Sequence, residues 1–278
     1  MCLIAFAINS CTSRPFVLAS NRDEFLDRPT LPLARWKEAS GQEIISGRDA
    51  RAGGTWLGVT PHGRVAFLTN VRKATGVSVS STRGALVTRW LESRNTAEDF
   101  FKLLKMSDEV YCGFNLVLGD LEHNAWSWVT NRSTASVSGW QAQALPAGVY
   151  GLSNAALDTD WPKTIQLKRA LSAALSQKNT GDVIHELLFS ALASQVHMPP
   201  PEKWHTGEVR ELELAAASAF VDIPGHAYGT RTSAVLAINK RSDRPPVNPY
   251  RIDFQERTYT REITGQPTVR FLTSSVVT

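Results

Sequence analysis

Chemistry in this chain starts at its second residue. Cys2 follows Met1, and a leading methionine is commonly removed before a small residue, which would leave a chain that begins with a thiol and a free α-amine on one residue. An α-amine titrates at roughly 7.7–8.0 in model peptides, so near neutrality it can take the thiol proton and return it to a leaving group. The same opening dipeptide also occurs where residue 2 does no chemistry.

A second cluster, Asn21-Arg22-Asp23-Glu24, follows a predicted strand at Phe16 to Ser20. In a hairpin with a strand at Leu3 to Ile8, the start of one strand lies beside the end of the other, so Cys2 is expected near Arg22 and Asp23. A carboxylate there could accept a hydrogen bond from the α-amine, and a guanidinium would favour the thiolate. The alternative is a charged turn holding a solvated ion pair.

Other signals are weaker. Gly53-Gly54-Thr55-Trp56 lacks the spacing and the following lysine of a phosphate loop, and reads as a tight turn that makes Trp56 a pocket wall. Trp126 and Trp128 share one strand face and read as core. His197, Glu202 and His205 flank a triple proline without metal-ligand spacing, so no metal site is expected; His185, among polar neighbours, reads as surface. Cys2, Cys11 and Cys112 are odd in number and form no CxxC pair, which excludes a disulfide framework and a zinc ribbon. Asn131-Arg132-Ser133 is a glycosylation sequon, idle in a cytoplasmic protein.

The elements that must position these residues alternate between two periods. Short β-branched or aromatic runs at 3–8, 16–20, 55–59, 64–70, 113–119 and 124–130 predict strands, as do 232–238, 251–255 and 268–272. Helices are expected at 84–90, after the capping box Thr96-Ala97-Glu98-Asp99, after Asp160-Trp161-Pro162, and over 180–195. Strands, then helices, then strands make an α+β protein, and the 278 residues are read as one domain, 1–278. Thirty Lys and Arg against 26 Asp and Glu give a net charge of +4 with no basic stripe, which argues against a nucleic-acid partner. The uncharged stretch 133–157 is broken by Ser, Gln, Pro and Gly, so no membrane span is expected. The first positive charge is Arg14, so the opening apolar run lacks the basic flank of a secretory signal and a cytoplasmic protein is expected.

Taken together, Cys2 with Asn21-Arg22-Asp23-Glu24, Gly53-Gly54-Thr55-Trp56-Leu57-Gly58, Leu68-Thr69-Asn70, Arg83-Gly84, Gly113-Phe114-Asn115-Leu116, Tyr150-Gly151-Leu152-Ser153-Asn154 and Tyr228-Gly229-Thr230-Arg231-Thr232 resemble the NRDE family in order along nearly the whole chain. That family is itself similar to N-terminal nucleophile hydrolases of the bile-salt hydrolase and penicillin acylase type. The resemblance implies a four-layer αββα sandwich with two antiparallel sheets between helical layers. It further implies Cys2 as nucleophile, Arg22 and Asp23 beside it, Asn154 as oxyanion donor with Asn70 as a second candidate, and Arg231 as a late active-site arginine. Asn21, Glu24, Trp56 and Asn70 would contact substrate. In the hydrolases the arginine and aspartate stand a few residues apart, whereas Arg22 and Asp23 are adjacent. The implied activity is cleavage of a linear or acyl C–N amide, without metal or cofactor. The resemblance also implies an alternative, a non-catalytic carrier of haem or of lipid and acyl-CoA, in which Cys2 or one of six histidines could ligate haem.

Overall fold

The computed structural model describes residues 2–71, 80–176, 181–196, 217–222, 227–241, 250–262 and 268–278. His197, Glu202, His205 and the triple proline lie outside them. The elements run β1 (Cys2–Cys11), β2 (Arg14–Phe25), β3 (Thr30–Lys37), β4 (Glu43–Asp49), β5 (Leu57–Val59), β6 (Arg64–Asn70), α1 (Arg83–Glu92), α2 (Ala97–Met106), β7 (Phe114–Asp120) and β8 (Ala125–Thr130). They continue with β9 (Gln141–Ala144), β10 (Gly148–Leu152), α3 (Pro162–Ser176), α4 (Gly181–Leu192), β11 (Tyr228–Lys240), β12 (Tyr250–Glu262) and β13 (Thr268–Val277).

Two antiparallel sheets result, one of six strands in the order β10-β1-β2-β11-β12-β13 and one of seven in the order β3-β4-β5-β6-β7-β8-β9. Their inner faces meet in one apolar cluster. Ile4, Phe6, Ile8, Phe16 and Leu18 of the first sheet pack against Val59, Val65, Phe67, Val117, Trp126 and Trp128 of the second. The period-2 alternation sends Leu3, Ala5, Ala7, Val17 and Ala19 to the opposite face, where Leu167 and Leu171 of α3 and Ile184 and Leu188 of α4 cover them. The outer face of the second sheet is covered by Leu86, Val87 and Trp90 of α1 and Phe100 and Leu104 of α2. Helix, sheet, sheet and helix layers make the expected αββα sandwich, and both tryptophans of β8 belong to its centre.

The helical periods hold with local adjustments. Thr96 caps α2 by accepting from the Asp99 N–H, as the capping box requires, but the Asp99 carboxylate accepts the Thr96 hydroxyl at 2.8 Å. On α4, Ile184, Leu188 and Leu192 are buried while Val183 and Leu187 are 44% and 43% exposed, which places the apolar stripe on the first three. No helix among the described residues is long and apolar enough to cross a membrane.

Candidate active site

β2 runs through Phe25, five residues past the predicted end at Ser20, so Asn21-Arg22-Asp23-Glu24 is strand and not a charged turn. Its pairing to β1 sets Cys2 directly opposite Arg22, with Leu3 opposite Asn21. Directly opposed residues share a sheet face, and neighbours along a strand alternate. Arg22 therefore lies on the Cys2 side, and Asn21 and Asp23 point toward the helical layer.

Asn21 is fully buried there, donating to the carbonyls of Leu192 and Ala219, both at 2.8 Å, and accepting the Ser233 hydroxyl at 2.5 Å. It ties β2 to the end of α4 and does not line the pocket, contrary to the substrate role that the resemblance implied. Asp23 accepts the Thr230 hydroxyl at 2.7 Å. Burial pushes its carboxyl above the ordinary carboxylate range, while the Lys163 ammonium, the Thr230 hydrogen bond and Arg261 pull the other way.

Beside Cys2 opens a cavity of about 290 Å³, lined by Cys2, Arg22, Asp23, Glu24, Trp56 and Asn70 together with Arg28, Asp49, Gly54, Thr82 and Arg83. Three elements converge on it. The Gly53-Gly54 turn delivers Trp56, whose ring lies 4.3 Å from the Arg22 guanidinium carbon. β6 ends at Asn70, and α1 begins at Arg83 against the turn: a Cβ on Gly54 would stand 2.6 Å from the Gly84 carbonyl carbon. Gly54→Ala is expected to push α1 away and destabilise the fold by about 1–3 kcal/mol, measurable by urea unfolding.

Arg22 is only 5% exposed, and its guanidinium faces Glu24 at 3.6 Å, Asp49 at 3.7 Å and the Thr30 hydroxyl at 3.3 Å. Arg28 binds Asp49 at 2.7 Å. Burial opposes ionisation of Asp49, but the Arg28 hydrogen bond and the N–H groups of Ala52 and Arg51 hold its carboxyl below the ordinary range. Burial also pushes the Cys2 thiol upward, Asp23 adds to the rise, and Arg22 opposes it. A thiol in this setting needs a base close at hand to become a nucleophile.

Two residues stand elsewhere than the resemblance implied. Asn154 donates its side-chain amide to the Asn70 carbonyl at 2.8 Å and is not among the pocket-lining residues, while Ser153 donates its hydroxyl to the Cys2 carbonyl at 2.9 Å. Arg231 sits where the β2–β11 register shifts between Thr230 and Thr232, and its guanidinium donates to the carbonyls of Phe25, Leu26 and Arg28. It braces the turn after β2, outside the pocket lining.

His185 is 1% exposed, and its Nε2 stands 3.6 Å from the Asp253 carboxylate, so the surface reading is corrected. Asp49, Arg28 and Arg83 were not assigned roles from sequence: Asp49 and Arg83 stand near glycines, Arg28 near none, and only the fold supplies their partners. A buried carboxyl, Glu256, was also missed. Burial raises it to about 7 against the accepting bond from the Leu33 N–H and the charge of Arg22. Its folded value lies above the ordinary 4.5, so ionisation is easier unfolded, and stability falls as pH rises from about 4.5 to about 7. Glu256→Gln removes that loss, and by pH 8 is expected to be more stable than wild type by at most ~3 kcal/mol, the difference vanishing near pH 4, as read by denaturation at each pH.

Residues 1–261 match the family profile described as Transport and Golgi organisation 2. The human Transport and Golgi organization protein 2 homolog is 32% identical over 254 residues, covering 86% of this chain and 89% of that protein. The Drosophila melanogaster Transport and Golgi organization protein 2 is 27% identical over 263 residues, covering 87% and 89%. Among solved structures, the Caenorhabditis elegans ortholog of N-acylethanolamine-hydrolyzing acid amidase aligns with a TM-score of 0.50 at 12% identity, covering 84% of this chain and 92% of that one. A C2A mutant of conjugated bile acid hydrolase from Clostridium perfringens aligns with a TM-score of 0.50 at 8% identity, covering 97% and 92%. The chain shares its fold with these two proteins.

Proposed function

The chain belongs to the Transport and Golgi organisation 2 family, and from that premise we propose that it hydrolyses a small acyl amide, with Cys2 as the nucleophile. The observation that carries this reading is the β1–β2 register, which sets Cys2 opposite Arg22 at the wall of a pocket that holds arginines and carboxylates. Both neighbours of the fold are named for hydrolysis, one of them an amidase.

In the proposed reaction Met1 has been removed. The Cys2 α-amine takes the thiol proton while Sγ bonds to the amide carbon, and the carbonyl electron pair moves to oxygen. Asn70, at the pocket wall, is the proposed side-chain donor to that oxyanion, held in place by Asn154 on its carbonyl. Collapse breaks the C–N bond, the leaving amine takes the proton from the α-ammonium, and a thioester remains. Water then adds to the thioester, giving its proton to the α-amine, and the C–S bond breaks to release the acid and restore the thiol. Asp23 supports the α-amine from the helical side, and Arg22 supports the thiolate.

Arginines, carboxylates and hydroxyls stand beside Trp56 and Leu68 in the lining, which suits a small amide with a polar end over a large flat apolar ligand. A haem titration is accordingly expected to give no saturable Soret shift; a stoichiometric shift would favour the carrier reading instead. Turnover is tested by following amine release from a panel of short-chain N-acyl amides, and release no faster than buffer across the panel would count against hydrolysis.

A further inference from the structure

Glu256 lies between the two sheets and is 1% exposed. It projects from β12 across to β3, where the register shift between Leu31 and Ala34 takes the Leu33 N–H out of the ladder, and its Oε1 accepts that N–H at 2.9 Å. Its Oε2 reaches the space above Gly47, where a Cβ would stand 3.1 Å from that oxygen and 2.7 Å from Cη2 of Trp56. The carboxyl and the indole edge therefore share one slot, which a glycine leaves open. The face of the same indole carries the Arg22 guanidinium at 4.3 Å, and Arg22 stands opposite Cys2.

We propose that Glu256 is a positioning residue for the thiol: it seats Trp56, through Trp56 it holds Arg22 opposite Cys2, and its charge competes with the thiolate for Arg22. This rests on Cys2 being the reactive group, as in the function proposed above. Among the described residues, Arg22 of β2 is the charged group acting on Glu256. The ladder partners Ala234 and Ser274 are uncharged, Leu33 and Gly47 offer backbone, Trp56 an indole, and Thr258 on the same strand a hydroxyl at 3.4 Å. A carboxylate in this slot draws Arg22 away from the thiolate, so Cys2 is less reactive when Glu256 is ionised.

The test is the rate of Cys2 alkylation by iodoacetamide between pH 5.5 and 9, located by peptide mass spectrometry, in full-length wild type and Glu256→Gln. Glutamine keeps the acceptor for the Leu33 N–H. The expected result is a rate about threefold higher in Glu256→Gln at pH 8, converging with wild type below pH 6. A Cys2 that reacts identically in both, or in neither, overturns the inference. Should Glu256→Gln fail to fold, the indole N–H resonance of Trp56 in wild type, assigned with Trp56→Phe, must titrate near neutrality; a flat resonance overturns it. Because alkylation requires no turnover, altered alkylation without amide hydrolysis would refute the proposed function and leave this inference standing.

Discussion

Cys2→Ala is expected to reduce amide turnover by at least about 10⁴-fold while leaving the urea unfolding midpoint close to wild type. The size follows from the role: the nucleophile is part of both the acylation and the deacylation steps, and losing such a group in hydrolases leaves only the residual catalysis of the oxyanion site and binding. The stability should hold because the removed sulfur is small and stands at the pocket wall, whereas the apolar residues that carry β1, Leu3 to Ile8, remain. The measurement is steady-state amine release at saturating substrate. A variant that keeps more than about one hundredth of wild-type kcat would mean that another group attacks the amide.

The second large effect is expected at Asn70, and it is sharpened by comparison with Asn154. Asn70 lines the pocket, while Asn154 spends its amide on the Asn70 carbonyl. Asn70→Ala should lower kcat by ~10²–10³ with KM changed only a few-fold, the signature of a donor used in the transition state more than in the ground state. Asn154→Ala loosens Asn70 without removing it, and should cost about tenfold. The reverse ranking, a severe Asn154→Ala beside a mild Asn70→Ala, would return the oxyanion role to Asn154.

Much of this site is legible in the sequence because antiparallel pairing is local. A hairpin of the first two strands places Cys2 near Arg22 and Asp23, and the register sets it opposite Arg22. β2 extends through the charged cluster, so alternation puts Arg22 on the cysteine's face while the Asp23 carboxylate accepts the Thr230 hydroxyl. Residues whose roles depend on distant chain were illegible. Asn21 is held by the end of α4 and by β11, and Arg231 is diverted by a bulge that no local pattern announces. His185 looks polar along its own helix, yet its partner Asp253 lies 68 residues away on a central strand.

The fold shows the same division. A strand with a continuous apolar run, Arg64–Asn70, was read at its observed bounds. β3, whose side chains are mostly exposed, and β9, Gln141–Ala144, carry little apolar signal because they edge the second sheet, and neither was read. Glu256 fell one residue past the predicted strand at 251–255, where a lone glutamate gives no sign that two sheets will close over it.

The most direct test of an N-terminal cysteine hydrolase is the intact mass of the purified protein before and after incubation with a β-lactam or another electrophilic amide. The expected result is a mass lacking Met1, shifted by a single covalent adduct that is absent from Cys2→Ala. A protein that retains Met1 and gains no adduct at Cys2 would leave the thiol without its base, and would contradict the mechanism at its first step.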